Sequence, residues 1–454
     1  MSEQRSRSVA LYDGERSPTD RQRAFTSGEV PVAVYGLGKM GLPLAAVYAD
    51  VSGNVTGVDV DSDVVAAVNA GDCPIDGEPG LPAVVSDLVA DGALDATTDG
   101  VRAAAEARVH VLIVPTVVDD GDVDLSMLEA AVRTVGAGLD PGDLVVVEST
   151  VPPRTCRDRV APWLEAESAL ELGEFGLAFC PERTMSGRAL EDITEAYPKV
   201  VGGVDAESRR AAELVYERIT DNEVIPVTDA TTAECVKVFE GVYRDVNIAL
   251  ANELARLADD LAVDVTEAIE VANTQPFCDI HDPGPGVGGH CIPYYPYFLI
   301  SEFDGPTPLL RTARRVNDAM PRFTAEKTAA ELEAVGRDLA ESTVVVLGLT
   351  YRPGVDETRA SPGIDVAEEL RDRGASVHAV DPVCTTPPPE GVDRLGLDAV
   401  GTVDPDALVL VTAHEAFESL PWDDLGDAVV VDGRRALSVS DRVRSVYAIG
   451  VGSK

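Results

Sequence analysis

Basic residues are scarce in this sequence: 37 lysines and arginines stand against 79 aspartates and glutamates in 454 residues, a formal charge of −42 at pH 7. Binding nucleic acid by phosphate neutralisation is therefore not expected. No apolar run approaches the ~20 residues a membrane span needs, so no membrane partner is expected either. The opening stretch MSEQRSRSVALYDGERSPTDRQRAFTSGE lacks the apolar core of a secretory leader and reads as a mobile polar arm over residues 1–29. Seven cysteines, Cys73, Cys156, Cys180, Cys235, Cys278, Cys291 and Cys384, form no CxxC pair. Their odd number and spacing indicate neither a disulfide framework nor a metal site, and a reducing cytoplasm fits. The acid is spread along the chain, and arginine greatly outnumbers lysine. Such a surface suits a cytoplasm of very high salt, which points to a halophilic source.

What is present is the composition of a globular protein, 45% hydrophobic and 26% charged, long enough for two or three domains. The runs VPVAVYGLG, GNVTGVDVD, ARVHVLIVPT and GDLVVVESTVP are followed, after about residue 340, by STVVVLGLTY, GASVHAVDP, DALVLVTAH and DAVVVDGRRAL. Continuous valine-rich strands separated by helix-length segments predict parallel strands covered on both faces. The fold class is thus α/β, with two Rossmann-like doubly wound parallel sheets joined by a central long-helix domain. The helical centre is TTAECVKVFEGVYRDVNIALANELARLADDLAVDVTEAIEVAN, whose apolar residues recur at three and four. It predicts one long helix and another after it, in need of partners that a dimer seam or a domain-bridging spine would supply. The boundaries read as 1–29 arm, 30–226 dinucleotide domain, 227–325 central helical domain and 326–454 second Rossmann-like domain.

Gly36, Gly38 and Gly41 follow a strand and open a helix, and Asp59 ends the next strand about twenty residues on. A bare turn would explain the glycines alone, but the whole context is that of a dinucleotide fingerprint. Asp59, with Asp61 and Asp63 close by, would repel a 2′-phosphate and favours NAD. The second half has only Gly348 at that place; Arg352, Arg359 and Arg434 fall in its loops, either as forks for phosphate or as counter-charges to an acidic surface. Lys237, Gly241 and Arg244 share a face of the long helix, where Lys237 is either functional or a snorkelling edge residue.

The stretch GPGVGGHCIPYYP, Gly284–Pro296, frames Cys291 with glycines, as a loop would that closes backbone over a ligand. A thiol beside an NAD site suits oxidation past the aldehyde: it adds to the aldehyde, and water cleaves the resulting thioester. Lys237 could relay a proton or face an oxyanion, and Glu182 could handle the water.

On GLGKMGLPLA, VPT, STVP, CPERTMSG, AECVKVFEGVYRDVNIALANELA, PGPGVGGHCIP, RRVNDAMP, TYRPGVDETRASP and VVDGRR, the chain resembles the UDP-glucose and UDP-N-acetylmannosamine 6-dehydrogenases after residue 30. The resemblance implies Cys291 as thioester nucleophile, Lys237 as proton donor or acceptor, and Thr150 and Glu182 at the hydrolytic water. It implies Gly36, Gly38, Lys39, Met40, Gly41, Asp59, Thr116, Thr150 and Arg359 at NAD. Arg183, Thr184, Lys237, Arg244, Gly288, Tyr351, Arg352 and Arg434 would meet the UDP-sugar, in a homodimer built on the central helix. PERTMSG and GGHCIP look like the N-acetylhexosamine branch, which puts UDP-N-acetylmannosamine first, ahead of its gluco epimer and UDP-glucose.

The chain departs from that pattern at Gly241, where an asparagine is usual, and at Tyr295, where an aspartate is usual. Arg352 replaces a lysine, and Gln275 and Phe277 replace a basic pair. Two readings of different class follow: an active two-step dehydrogenase with an altered sugar pocket, or a nucleotide-sugar-binding paralogue with little turnover. One-step oxidation of a hydroxy acid leaves Cys291 and the second α/β half without a use.

Overall fold

The computed structural model describes residues 9–119, 121–185, 187–438 and 443–453. The chain forms two compact units, Met1–Phe239 with Tyr297–Glu302, and Glu240–Pro296 with Phe303–Lys454. The division falls inside the central helix.

The first unit begins with a packed segment. The expected mobile arm is corrected from Val9 onward; residues 1–8 lie outside the described residues. Helix α1 (Pro18–Thr26) is capped by the Ser17 side chain, which accepts the Asp20 amide. Arg21, only 5% exposed, donates to the Leu11 carbonyl and to Glu207 at 2.7 Å. Phe25, fully buried, meets Tyr48 edge to face at 6.4 Å. Polar composition hid this packing, because Arg21 and Phe25 sit one turn apart on the inward face of a short, mostly polar helix.

The sheet of this unit comprises β1 (Val32–Tyr35), β2 (Val55–Val58), β3 (Leu94–Thr97), β4 (Val109–Leu112), β7 (Leu144–Val147), β8 (Gly176–Phe179), β9 (Lys199–Gly203) and β10 (Val224–Pro226), with a separate hairpin of β5 (Val117–Asp119) and β6 (Asp122–Asp124). Strand order is β10-β9-β8-β7-β4-β1-β2-β3. Pairing is parallel except between β8 and β9. Every residue of β1, β4, β7 and β8 is buried, as continuous apolar runs in a two-sided sheet require. Helix α2 (Gly41–Ser52) follows β1, and the order reverses between β1 and β4, where such sheets open a crevice at their carboxyl ends.

Helix α3 (Ala230–Arg256) runs for 27 residues. After it comes α4 (Val265–Ala272), whose first turn is capped by Asp264. Both match the two helices read from the sequence. Helices α5 (Pro308–Asp318) and α6 (Met320–Ala334) lead into the second sheet. Its strands are β11 (Thr343–Leu347), β12 (Ser376–Val380), β13 (Val392–Arg394), β14 (Ala407–Leu410), β15 (Val429–Asp432), β16 (Ser445–Ala448) and β17 (Gly452–Ser453), ordered β13-β12-β11-β14-β15-β16-β17. Only β17 is antiparallel. The second switch point lies between β11 and β14, so the two sheets repeat one plan. They differ in the loop after the first strand. At the end of β12, Asp381 accepts the amides of Leu349 and Thr350 at 2.8 and 2.9 Å and meets His414 Nε2 at 3.2 Å, so its carboxylate is consumed within the fold.

Candidate active site

In the first unit, Gly36 has φ +97°, and a Cβ there would meet the Ile113 carbonyl oxygen at 2.6 Å. At Gly41 a Cβ would overlap the Gly36 carbonyl, whereas at Gly38 it would meet nothing within 4 Å. One glycine thus makes the turn, one seats the helix on the strand, and one leaves backbone facing open space, the three requirements of a pyrophosphate loop. Asp59 accepts the Leu37 amide at 2.7 Å and the Asp61 amide at 3.0 Å, which fixes its carboxylate beside that loop. Lys39 is exposed and Met40 half-buried at the start of α2. The Thr116 hydroxyl donates to the Thr150 carbonyl at 2.7 Å, joining the loops after the adjacent strands β4 and β7. These residues fit NAD.

Lys237 is 8% exposed on α3, and its ammonium donates to the Glu182 carbonyl while lying 3.8 Å from the Glu182 carboxylate. It is therefore directed inward at Glu182 and is not a snorkelling edge residue. The Glu182 carboxylate also accepts the Thr184 amide, and the Thr184 hydroxyl lies 3.1 Å from the Met40 sulfur. The PERT turn consequently touches the nucleotide loop. Arg183 donates to the Pro198 carbonyl at 3.0 Å and stands over the Tyr197 ring; with Glu182, Thr184 and Lys199 it lines a small open cleft.

Two carboxylates here were not singled out from the sequence. Glu148, at the end of β7, is buried against Lys199 at 2.6 Å and the Tyr216 hydroxyl. Burial pushes its carboxyl up, and Lys199 opposes that shift. Glu234, fully buried on α3, accepts the amides of Arg154 and Cys156, the latter at 2.7 Å. It holds the turn after STVP, in which Arg154 has φ +77°.

In the second unit, Cys291 is exposed, while Gly289, Pro293, Tyr295 and Pro296 around it are buried. Its carbonyl accepts two amides, from Tyr294 and Tyr295, each at 3.0 Å. The preceding residues are held as firmly. The Gly289 amide donates to the Arg359 carbonyl at 3.0 Å, and His290 lies between Arg359 at 3.1 Å and Glu357 at 3.0 Å. Arg359 also stands over the Tyr294 ring. Arg359, expected at NAD, thus also holds the cysteine turn. A Cβ at Gly289 would meet the Tyr351 ring at 3.0 Å, and one at Gly288 the Ala360 carbonyl oxygen at 2.6 Å and the Tyr351 Cβ at 2.9 Å, so these glycines let the turn lie close against both residues. Burial raises the Tyr351 hydroxyl's pKa; Arg352 opposes this, and Cys291 and Glu357 add to it.

The RRVNDAMP segment has a structural task. Arg314 and Asn317 bind Asp245 of α3, the latter at 2.8 Å. Asn317 also accepts from Asn252 at 2.9 Å, and Asn252 accepts the Gly284 amide at 2.9 Å, where the cysteine loop begins. Arg434 donates to the Val411 carbonyl at 2.8 Å, and Gly284 has no room for a Cβ beside its guanidinium. Arg244 is exposed, Gln275 is exposed, and Phe277 is 93% exposed. Among the described residues, no group of three or more His, Cys, Asp or Glu could hold a metal, and no helix is long and apolar enough to cross a membrane.

The sequence matches, in order, the NAD binding domain of the UDP-glucose/GDP-mannose dehydrogenase family over residues 30–220, its central domain over 231–319 and its UDP binding domain over 345–439. The chain belongs to this family. It is similar to the UDP-N-acetyl-D-mannosamine dehydrogenase of Pyrococcus horikoshii, 39% identical over 412 residues, 89% of this chain and 96% of that one. The NDP-N-acetyl-D-galactosaminuronic acid dehydrogenase of Ralstonia nicotianae is 36% identical over 415 residues, 89% of this chain and 95% of its own. Among solved structures, UDP-D-ManNAc dehydrogenase from P. horikoshii superposes with a TM-score of 0.86 at 37% identity, covering 93% of this chain and all of that one. As a member of a nucleotide-sugar dehydrogenase family, the chain takes NAD as its cofactor.

Burial moves the Glu234 carboxyl from its ordinary 4.5 to about 7, because desolvation outweighs its backbone hydrogen bonds. Between those values the folded chain keeps a proton that the unfolded chain has lost. The associated stability is present below 4.5 and is lost as pH rises through about 7. From pH 5 to pH 8 the wild type should lose about 2–3 kcal/mol more than Glu234→Gln, read from urea midpoints. Equal slopes for the two proteins would contradict the assignment.

Proposed function

We propose that the chain oxidises the C6 hydroxyl of UDP-N-acetyl-D-mannosamine to the uronic acid in two steps, through a thioester on Cys291. The observation that carries this reading is an exposed thiol on a turn held by the backbone hydrogen bonds of Gly289, Tyr294 and Tyr295. Inert structural cysteines are buried, whereas a nucleophile has to be reachable. The substrate choice is supported by PERTMSG and GGHCIP, and by relatives named for N-acetylhexosamine nucleotides. The altered pair Gly241 and Tyr295 separates this chain from the usual pattern and leaves the gluco epimer and UDP-glucose as the other substrates to test.

NAD, when bound, supplies the acceptor for the hydride lost from C6 in each of the two oxidations. Lys237 takes or relays the proton of the C6 hydroxyl and steadies the oxyanion, a role suited to a buried ammonium already directed at Glu182. The Cys291 thiolate adds to the aldehyde carbon to give a hemithioacetal, which becomes the thioester on losing its hydride. Glu182, with Thr150, orients the water that attacks the thioester carbon. The C–S bond breaks, the acid leaves, and the sulfur recovers a proton. Arg183, Thr184, Arg244, Gly288, Tyr351, Arg352 and Arg434 hold the UDP-sugar, and Arg359 completes the nucleotide site.

We also infer a homodimer built on the central helices. Tyr243, Leu250 and Leu257 repeat every seven residues along α3 and just past its end, and all three are more than 40% exposed, as are Leu261 and Val271. That is an apolar stripe of the kind a partner helix covers. Sedimentation should give twice the 47.8 kDa chain mass, and Leu250→Glu should yield the monomer; a wild-type monomer contradicts the inference.

The function is tested by counting NADH per sugar consumed over a panel of UDP-sugars. Two per sugar is expected, and one would mean arrest at the aldehyde. None, with UDP-sugar bound, would mean a binding paralogue. Cys291→Ser should lower acid formation at least ~100-fold, the scale on which nucleophile loss is felt; full acid production by that variant would sink the role of the thiol.

A further inference from the structure

Gly241 stands in the middle of α3, where glycine weakens a helix relative to alanine. The structure gives the reason. A Cβ on Gly241 would fall inside 3.0 Å of three ring atoms of Tyr295, Cδ2, Cγ and Cε2, closer than real Cβ atoms come. Tyr295 is itself 7% exposed, in a stretch where Pro293 and Pro296 are also buried. Its own amide donates to the Cys291 carbonyl at 3.0 Å. The ring on the helix and the thiol therefore stand at the two ends of a single turn of chain.

Gly241 and Tyr295, the two positions at which the resemblance expects other residues, are thus joined by one contact: the helix leaves a slot and the ring fills it. We propose that Gly241 and Tyr295 act as a slot and knob pinning the Cys291 turn to the long helix, with Tyr295 a positioning residue for the thiol. The contact with the helix is made by the ring, so the effect is assigned to its shape. The catalytic part of this proposal rests on Cys291 being the nucleophile, and the pinning itself does not.

The test is a double-mutant cycle on the full-length protein, read by hydrogen exchange of the peptide spanning residues 286–298 and by steady-state kinetics. Gly241→Ala should speed exchange of the Tyr294 and Tyr295 amides at least tenfold and lower kcat at least tenfold, leaving KM for NAD within twofold. In a Tyr295→Ala background, adding Gly241→Ala should change exchange and kcat by less than twofold, because the overlap is gone. Tyr295→Phe should stay within threefold of wild type in both. Should Gly241→Ala fail to fold alone, recovery of folding in the double variant supports the slot. The proposal is overturned if Gly241→Ala has effects of the same size in both backgrounds, or if Tyr295→Phe is as damaging as Tyr295→Ala. Cys291→Ser separates the two claims: full acid production there removes the nucleophile, while the exchange cycle still decides the pinning.

Discussion

One face of α3 carries the contacts that hold the candidate residues within each unit. Glu234, Lys237, Gly241, Asp245 and Asn252 follow one another at spacings of three, four, four and seven, the period that keeps side chains on one side of a helix. Glu234 holds the turn after STVP, and Lys237 meets Glu182. Gly241 receives the ring of Tyr295, while Asp245 and Asn252 tie down α5 and the start of the cysteine loop. A polar, largely buried stripe of this kind is costly unless each group finds a partner, and most of these groups do.

Around that face, the chemistry divides into a part that must be rigid and a part that must be reachable. Gly38 leaves backbone open on the nucleotide loop, and Cys291 leaves its sulfur open on the sugar loop. Each loop is held by backbone hydrogen bonds, from the Gly36 and Leu37 amides in the first and from the Gly289, Tyr294 and Tyr295 amides in the second. The two sheets share a plan but not a ligand. Asp59 lies beside an open glycine loop, whereas Asp381 is spent on the amides of Leu349 and Thr350 and on His414.

Much of this was legible in the sequence, because it rests on local pattern. Continuous valine runs marked the buried parallel strands, glycine spacing marked the nucleotide loop, and three-and-four periodicity marked α3. The glycine frame around Cys291 was visible as well, and so were Gly241 and Tyr295 as oddities. That they touch was not visible, since nothing local joins a helix position to a distant loop. Glu148 was hidden in the same way at the end of an apolar strand, where only its burial against Lys199 marks it out. The first residues misled by composition: a mostly polar segment buries Leu11, Tyr12, Arg21, Ala24 and Phe25, and these side chains dock it.

The most direct measurement on the central chemistry is the mass of the Cys291 peptide during turnover. With Glu182→Gln, UDP-N-acetyl-D-mannosamine and NAD, quenched in acid, the expected species is Cys291 carrying the UDP-sugar acyl group, with two NADH formed per modified site. Two NADH and free acid with Cys291 unmodified at every time point, or an adduct on any other residue, would contradict the thioester route.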